Sequence, residues 1–276
     1  FGKDTHLKIA TLLKEQNCKK VLIHYGGHSA VKSGLINEIR SVLDEAGIAY
    51  VTLGGVVPNP HLSKVREGIE LCRRENVDFL LAVGGGSVID SCKAIGYGVA
   101  NPWTDVWNFF LKTEVPKDCL PIGAIPTIAA SGSEMSGSCV ITNEDGWLKR
   151  GSTRSDLCRP KFALLNPRLT YTLPQYQTES GCVDILMHTM ERYFVNLETM
   201  EITDSISESL MQTVIYNARI LMKEPGNYNA RAEVMWAGSL SHNGLTGCGT
   251  GGGDWACHQL EHELGGLYDV AHGAGL

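Results

Sequence analysis

The residues best suited to chemistry lie in the last third of the chain. Asp184 and His188 are four apart, as are His258 and His262, and His272 follows just before Gly273. An i, i+4 pair sits on one face of a helix, one turn apart. A carboxylate and an imidazole inside an otherwise apolar helix are costly to bury unless they are paired or hold a metal. A single histidine on an apolar face reads as a satisfied core residue. Four of the nine histidines in two short stretches, with an acidic partner, read as a metal cluster. One carboxylate with imidazoles from separate helices suits iron(II), zinc, cobalt or nickel. The five groups cannot all bind one ion. Asp184 and His188 fill two positions, and either His258 or His262, with His272, fills the rest, leaving one open to substrate. The pattern is not the H-E-x-x-H of zinc proteases, because Gln259 follows His258.

A second constellation lies in the first third. The apolar run 78–83 (DFLLAV) leads into Gly84-Gly85-Gly86-Ser87, which opens a helix. Glycines bend the backbone and let a ligand approach bare N–H groups. The helix N-terminus adds partial positive charge, so Gly85, Gly86 and Ser87 form an anion site suited to a pyrophosphate. The letters are not G-x-G-x-x-G, and a tight turn without ligand could share them. Asp90 is counted with this cradle; its ordinary reading is a first-turn carboxylate favoured by the helix dipole. A second polar turn, 126–134, offers room and donors for a nucleotide, or is a plain loop with a capping box from Ser131 to Glu134. After the first strand, Gly26 and Gly27 stand where an acidic residue would hold the ribose hydroxyl of NAD. That leaves space for a 2′-phosphate beside Ser29 and Lys32, so NADP is expected over NAD.

The elements that must position these groups change character along the chain. Helical spacing over 5–16, 29–46, 61–75 and 88–97 alternates with apolar β-rich runs at 20–25, 49–53, 78–83 and 120–125. Two further short runs fall at 140–142 and 162–165. Continuous apolar strands alternating with amphipathic helices predict a parallel sheet covered on both faces. From Pro174 onward only helical periodicity remains, over 175–195, 204–222, 229–243 and 253–264. The fold class is therefore an α/β dinucleotide-binding domain, 1–170, followed by an all-α metal-binding domain, 171–276.

At ~150 residues per domain, 276 residues also give one or two domains. The net charge of −6 argues against a nucleic-acid partner, which needs a basic face. No uninterrupted apolar stretch is long enough for a membrane span and no export signal opens the chain, which favours the cytoplasm. Nine cysteines without a C-x-x-C pair read as reduced, buried small hydrophobes. Phe1 in place of a starting Met, and an end directly after the last histidine, read as a piece of a longer protein with its helical domain incomplete.

The stretch 84–94 (GGGSVIDSCKA), the pair Asp184 and His188, the pair His258 and His262, and Ala271-His272-Gly273 resemble the iron-containing (group III) alcohol dehydrogenases. The stretches 133–135, 140–144, 159–163 and 169–174 are similar to its butanol dehydrogenase branch, NADPH-using aldehyde reductases of bacteria. The resemblance covers essentially the whole chain. It implies a cleft between the two domains, metal ligands Asp184, His188, His258 and His272, and His262 as a catalytic non-ligand touching the nicotinamide or relaying a proton. It implies pyrophosphate contacts at Gly85, Gly86 and Ser87, and further cofactor contacts at Asn59, Thr127, Ser131 and Lys149. Members using NAD often carry Asp where this chain has Gly26. The activity implied is hydride transfer between NADP(H) and a primary alcohol or aldehyde such as butanol or butanal, often by a homodimer. The alternatives are a dehydroquinate-synthase-like metal-dependent lyase, which would need basic residues such as Arg192 at the metal, a metal-dependent hydrolase, or an inactive metal-binding fragment.

Overall fold

The computed structural model describes residues 1–27, 29–195 and 200–276. Five strands form a parallel sheet in the order β2-β1-β3-β4-β7: β1 Lys20–Gly26, β2 Ala49–Val56, β3 Phe79–Gly84, β4 Ile122–Pro126 and β7 Phe162–Ala163. Alternate side chains on the strands feed two separate cores. Leu22, Leu53, Leu80, Ala82, Ile122 and Ala124 pack with helices α4 (Leu62–Glu75) and α5 (Gly86–Ala100). Val21, Ile23, Phe79, Leu81, Val83 and Ile125 pack on the other face with α1 (Ile9–Glu15) and α3 (Leu35–Ala46). This is the doubly covered, Rossmann-like α/β arrangement that the apolar runs require.

The helix expected over 29–46 is broken. It forms as a single turn, α2 (Ser29–Lys32), then α3, because Gly34 between them takes φ 84°. The run 140–142 does form a strand, β5 (Val140–Asn143), but outside the main sheet. It pairs antiparallel with β6 (Leu148–Gly151), a short charged strand that carries no hydrophobic pattern. Trp107 and Phe109 are buried in the core beside α5.

The remaining helices are α6 (Gln175–Tyr193), α7 (Glu201–Leu221), α8 (Tyr228–His242), α9 (Ala256–Tyr268) and the short α10 (His272–Gly275). Cys182, Ile185, Leu210, Val214, Ala230 and Val234 make the core between α6, α7 and α8. Helix α9 starts later than its periodicity predicts, since Gly252, Gly253 and Trp255 all have positive φ. Among the described residues no helix is long and apolar enough to cross a membrane. All nine cysteines are free thiols; five are buried, while Cys248 and Cys257 are exposed.

Candidate metal centre and nucleotide cleft

The strand order reverses direction between β1 and β3, the position at which open α/β sheets bind ligands beyond their strand ends. Gly26 ends β1 and Gly84 ends the neighbouring β3. Gly85 is the extended N-cap of α5, and no side chain caps the helix. Its first amides therefore lack an intrahelical acceptor and face the strand ends. A Cβ on Gly86 would lie 2.4 Å from Ser131 Oγ, and one on Gly85 would lie 2.7 Å from Ile128 Cγ2. Thr127 N–H donates to Gly84 O at 3.1 Å. The two polar turns thus form one cradle, bringing Gly85, Gly86, Ser87, Thr127 and Ser131 together. Gly27 is exposed with open space around it, and Ser29 and Lys32 are exposed on the adjoining α2.

Three further positions are placed as follows. Asp90 accepts from Ser133 Oγ at 2.5 Å and Val140 N–H at 2.9 Å, so its carboxylate braces the second turn from within. The capping box from Ser131 does not form. Gly132 turns the chain at φ 61°, and Glu134 instead accepts a hydrogen bond from Ser239 on α8. Asn59 and Lys149 stand together beside α9, where a Cβ on Gly265 would lie 3.3 Å from Asn59 Oδ1 and 2.7 Å from Lys149 Nζ. Their polar atoms reach Asp269, Val270 and Glu261.

The histidine cluster assembles as the spacing requires. Helix α6 carries Asp184 and His188, α9 carries His258, and α10 opens with His272. Asp184, His188 and His258 are buried and offer ligand atoms all within 4.8 Å of one another. His258 Nε2 and His272 Nε2 each lie 3.7 Å from Asp184 Oδ1. Donors bound at about 2.1 Å around a tetrahedral ion lie about 3.4 Å apart, so the spacing fits a shared ion.

The tautomers carry the argument further. His188 Nδ1–H donates to the Asp184 carbonyl at 2.9 Å. His258 Nδ1–H is held by Glu191 and His272 Nδ1–H by Glu261, both buried carboxylates. In the neutral form of each ring the Nε2 lone pair is therefore the one left for an ion, which takes the place of a second proton. Asp184 Oδ1 and His258 Nε2 are buried and make no well-formed hydrogen bond, although His188 Nδ1 stands 2.9 Å from that oxygen while donating to the Asp184 carbonyl; such an arrangement is costly unless a ligand joins them. Burial pushes the Asp184 carboxyl up, but His188 and His272 outweigh it and hold it well below the usual carboxylate range. Burial lowers His258, yet Asp184 and Glu191 raise it to about 9. The donor set fits a divalent metal.

His262 stands to one side, its ring 5.9 Å from that of His272. Burial and the Lys149 charge push its pKa down to about 3, so its resting form is the neutral imidazole. Two carboxylates that the sequence reading passed over, Glu191 and Glu261, each stand three residues after a candidate ligand. That same-face spacing was a usable signal. Arg192 is the basic residue that the lyase alternative needs free for a substrate phosphate. Instead it donates to the carbonyls of His188 and Ser241 and to His242 Nδ1, with Trp255 lying 4.4 Å from the guanidinium. No free fork is left for a phosphorylated substrate, which removes the basis of the lyase alternative. His242, 4.2 Å from His188 ring to ring, keeps its proton on Nε2, the reverse of the three candidate ligands.

Comparison with known proteins places the chain in a family. Residues 1–167 match the iron-containing alcohol dehydrogenase family, and 178–276 match the C-terminal domain of Fe-containing alcohol dehydrogenases. The NADH-dependent butanol dehydrogenase A of Clostridium acetobutylicum is 42% identical over 276 residues, covering all of this chain and 70% of that protein. The NADPH-dependent aldehyde reductase YqhD of Escherichia coli is 38% identical over 256 residues, 92% of this chain and 65% of that one. The crystal structure of NADH-dependent butanol dehydrogenase A from Thermotoga maritima superposes with a TM-score of 0.97 at 41% identity, covering all of this chain and 68% of its own. On this evidence the chain belongs to the iron-containing alcohol dehydrogenase family.

Proposed function

We propose that this chain transfers a hydride between NADP(H) and a primary alcohol or aldehyde such as butanol or butanal. In this reading Asp184, His188, His258 and His272 hold one divalent ion, iron(II) by preference. The observation that carries it is that Glu191 and Glu261 engage the Nδ1 atoms of His258 and His272 and leave both Nε2 atoms 3.7 Å from the buried Asp184 Oδ1, with His188 on the same helix face. When bound, such an ion polarises a carbonyl or alkoxide oxygen, and the nicotinamide supplies or takes the hydride.

The chain's own residues do the rest. Gly85, Gly86 and Ser87 bind the pyrophosphate at the start of α5, and Thr127 and Ser131 wall the second side. Asp90 and Lys93 hold that wall in place. His262 is the neutral relay through which a proton reaches or leaves the reacting oxygen. Gly26 and Gly27, without a carboxylate and with Ser29 and Lys32 alongside, support NADP; the butanol dehydrogenases named above are NADH-dependent, and NAD is the competing cofactor. The same reading takes 1–170 as the nucleotide domain and 171–276 as the metal domain of a cytoplasmic homodimer.

The test is aldehyde-dependent NADPH oxidation with and without added iron(II), in the native chain and in His272→Ala. Restoration by iron in the first, with metal and activity lost together in the second, is the expected result. Full activity in a metal-free His272→Ala protein overturns the proposal.

A further inference from the structure

The four candidate ligands are not supported alike. Asp184 and His188 share a helix, and His258 is fixed by Glu191 on that same helix. His272 is different, because its support crosses from one layer of the molecule to another. Its Nδ1–H is held by Glu261, and Glu261 accepts from Lys149 Nζ at 2.9 and 3.2 Å. Lys149 belongs to β6, in the α/β half. Lys149 and Glu261 are both more than nine-tenths buried. Beside them Asn59, which follows β2, donates to Asp269 Oδ1 at 2.9 Å and to Val270 O at 3.2 Å, pinning the segment that leads into His272. Gly265 and Gly266 let α9 come this close. A Cβ on Gly266 would lie 2.5 Å from Trp147 O.

From this geometry we infer that Lys149 is a positioning residue for the metal centre: it fixes the Glu261 carboxylate, and Glu261 orients the imidazole of His272. The inference rests on the metal reading above. It assigns Lys149 a task other than the cofactor contact implied by family resemblance. A buried carboxylate is held in one orientation only if its lone pairs are met, and Lys149 is the partner that meets those not used by His272. Support of this kind behind a ligating histidine governs metal affinity. The nucleotide-side hairpin thereby sets how tightly the helical half holds its ion.

The experiment measures cobalt(II) dissociation constants by absorption titration of the metal-free protein, and NADPH affinity by fluorescence in the same metal-free samples. Lys149→Met and Glu261→Gln are expected to weaken cobalt(II) binding by about ten- to hundredfold. Lys149→Arg, which keeps the charge, is expected to recover most of the loss. NADPH affinity should be unchanged in all three. Unaltered cobalt(II) binding in Glu261→Gln, or in Lys149→Met with NADPH affinity lost, overturns the inference and returns Lys149 to the cofactor. A native protein that binds cobalt(II) no more tightly than Asp184→Asn would instead sink the metal reading itself.

Discussion

Glu191 on α6 grips His258 on α9 in two ways at once. One oxygen takes the imidazole Nδ1 proton, and the other accepts the backbone amides of Cys257 and His258 at 2.7 and 3.3 Å. A single carboxylate thus starts a helix and aims a candidate ligand borne on that helix. Glu191→Gln keeps the shape but loses the charge. It is expected to weaken metal binding by about ten- to hundredfold while the fold survives. Isothermal titration with zinc checks this, and native affinity in the variant would mean that His258 is aimed by something else.

The cradle predicts a separable defect. Valine at position 86 would drive a Cβ, and methyls beyond it, into the Ser131 side chain across the turn. Gly86→Val should raise KM for the nucleotide at least about tenfold, a loss of roughly 1.4 kcal/mol or more in binding. Metal content measured by atomic absorption should stay at the native level. Loss of both together would show that the turn and the metal centre do not act independently.

Cofactor choice is open to a one-residue test. A Cβ on Gly26 meets nothing nearer than Val56 O at 3.6 Å, so an aspartate side chain fits there. Gly26→Asp should cut kcat/KM for NADPH by about tenfold or more through repulsion of the 2′-phosphate, with NADH little affected. A native protein that already prefers NADH would refute the NADP assignment before any variant is made.

Acid stability should depend on a residue remote from the ion. His24 is fully buried between strands and helix. Its Nδ1–H donates to Leu53 O, and Ser91 donates to its Nε2, both at 2.8 Å. Burial lowers its pKa to about 4. An unfolded histidine takes a proton below about pH 6.5, whereas this one stays neutral until near 4. Between those values the unfolded chain binds more protons, so stability falls as the pH drops. The total from this residue is about 3 kcal/mol. Urea midpoints at pH 7, 5.5 and 4.5 should fall more steeply for the native chain than for His24→Gln. Parallel slopes would remove His24 as the cause.

Much of this was legible in the letters, and the failures have physical causes. The sheet strands were readable because each is apolar on both faces, as at 79–84. The pairs Asp184/His188 and His258/His262 were readable because four-residue spacing means a shared helix face. Strand β6 was not, because Leu148–Gly151 is held by its partner β5 and not by any hydrophobic run of its own. The break at Gly34 was hidden by unbroken apolar periodicity on either side of a left-handed residue. In sequence, Lys93 is only one letter of the 84–94 stretch. Nothing in one dimension says that an ammonium will meet the oxygens of Ser133, Ser136 and Ser138, which lie 40 to 45 positions away.

That buried lysine has a consequence for how a nucleotide is received. Its ammonium draws three carbonyls of the 133–138 segment, and the Ser133 hydroxyl, onto a single point at 2.7 to 3.0 Å. The wall of the cleft is thereby anchored from underneath before any guest arrives. Arrival then need not freeze a wandering loop, so little disorder is surrendered on association. In the proposed reading, the dinucleotide meets at this mouth a shape already made.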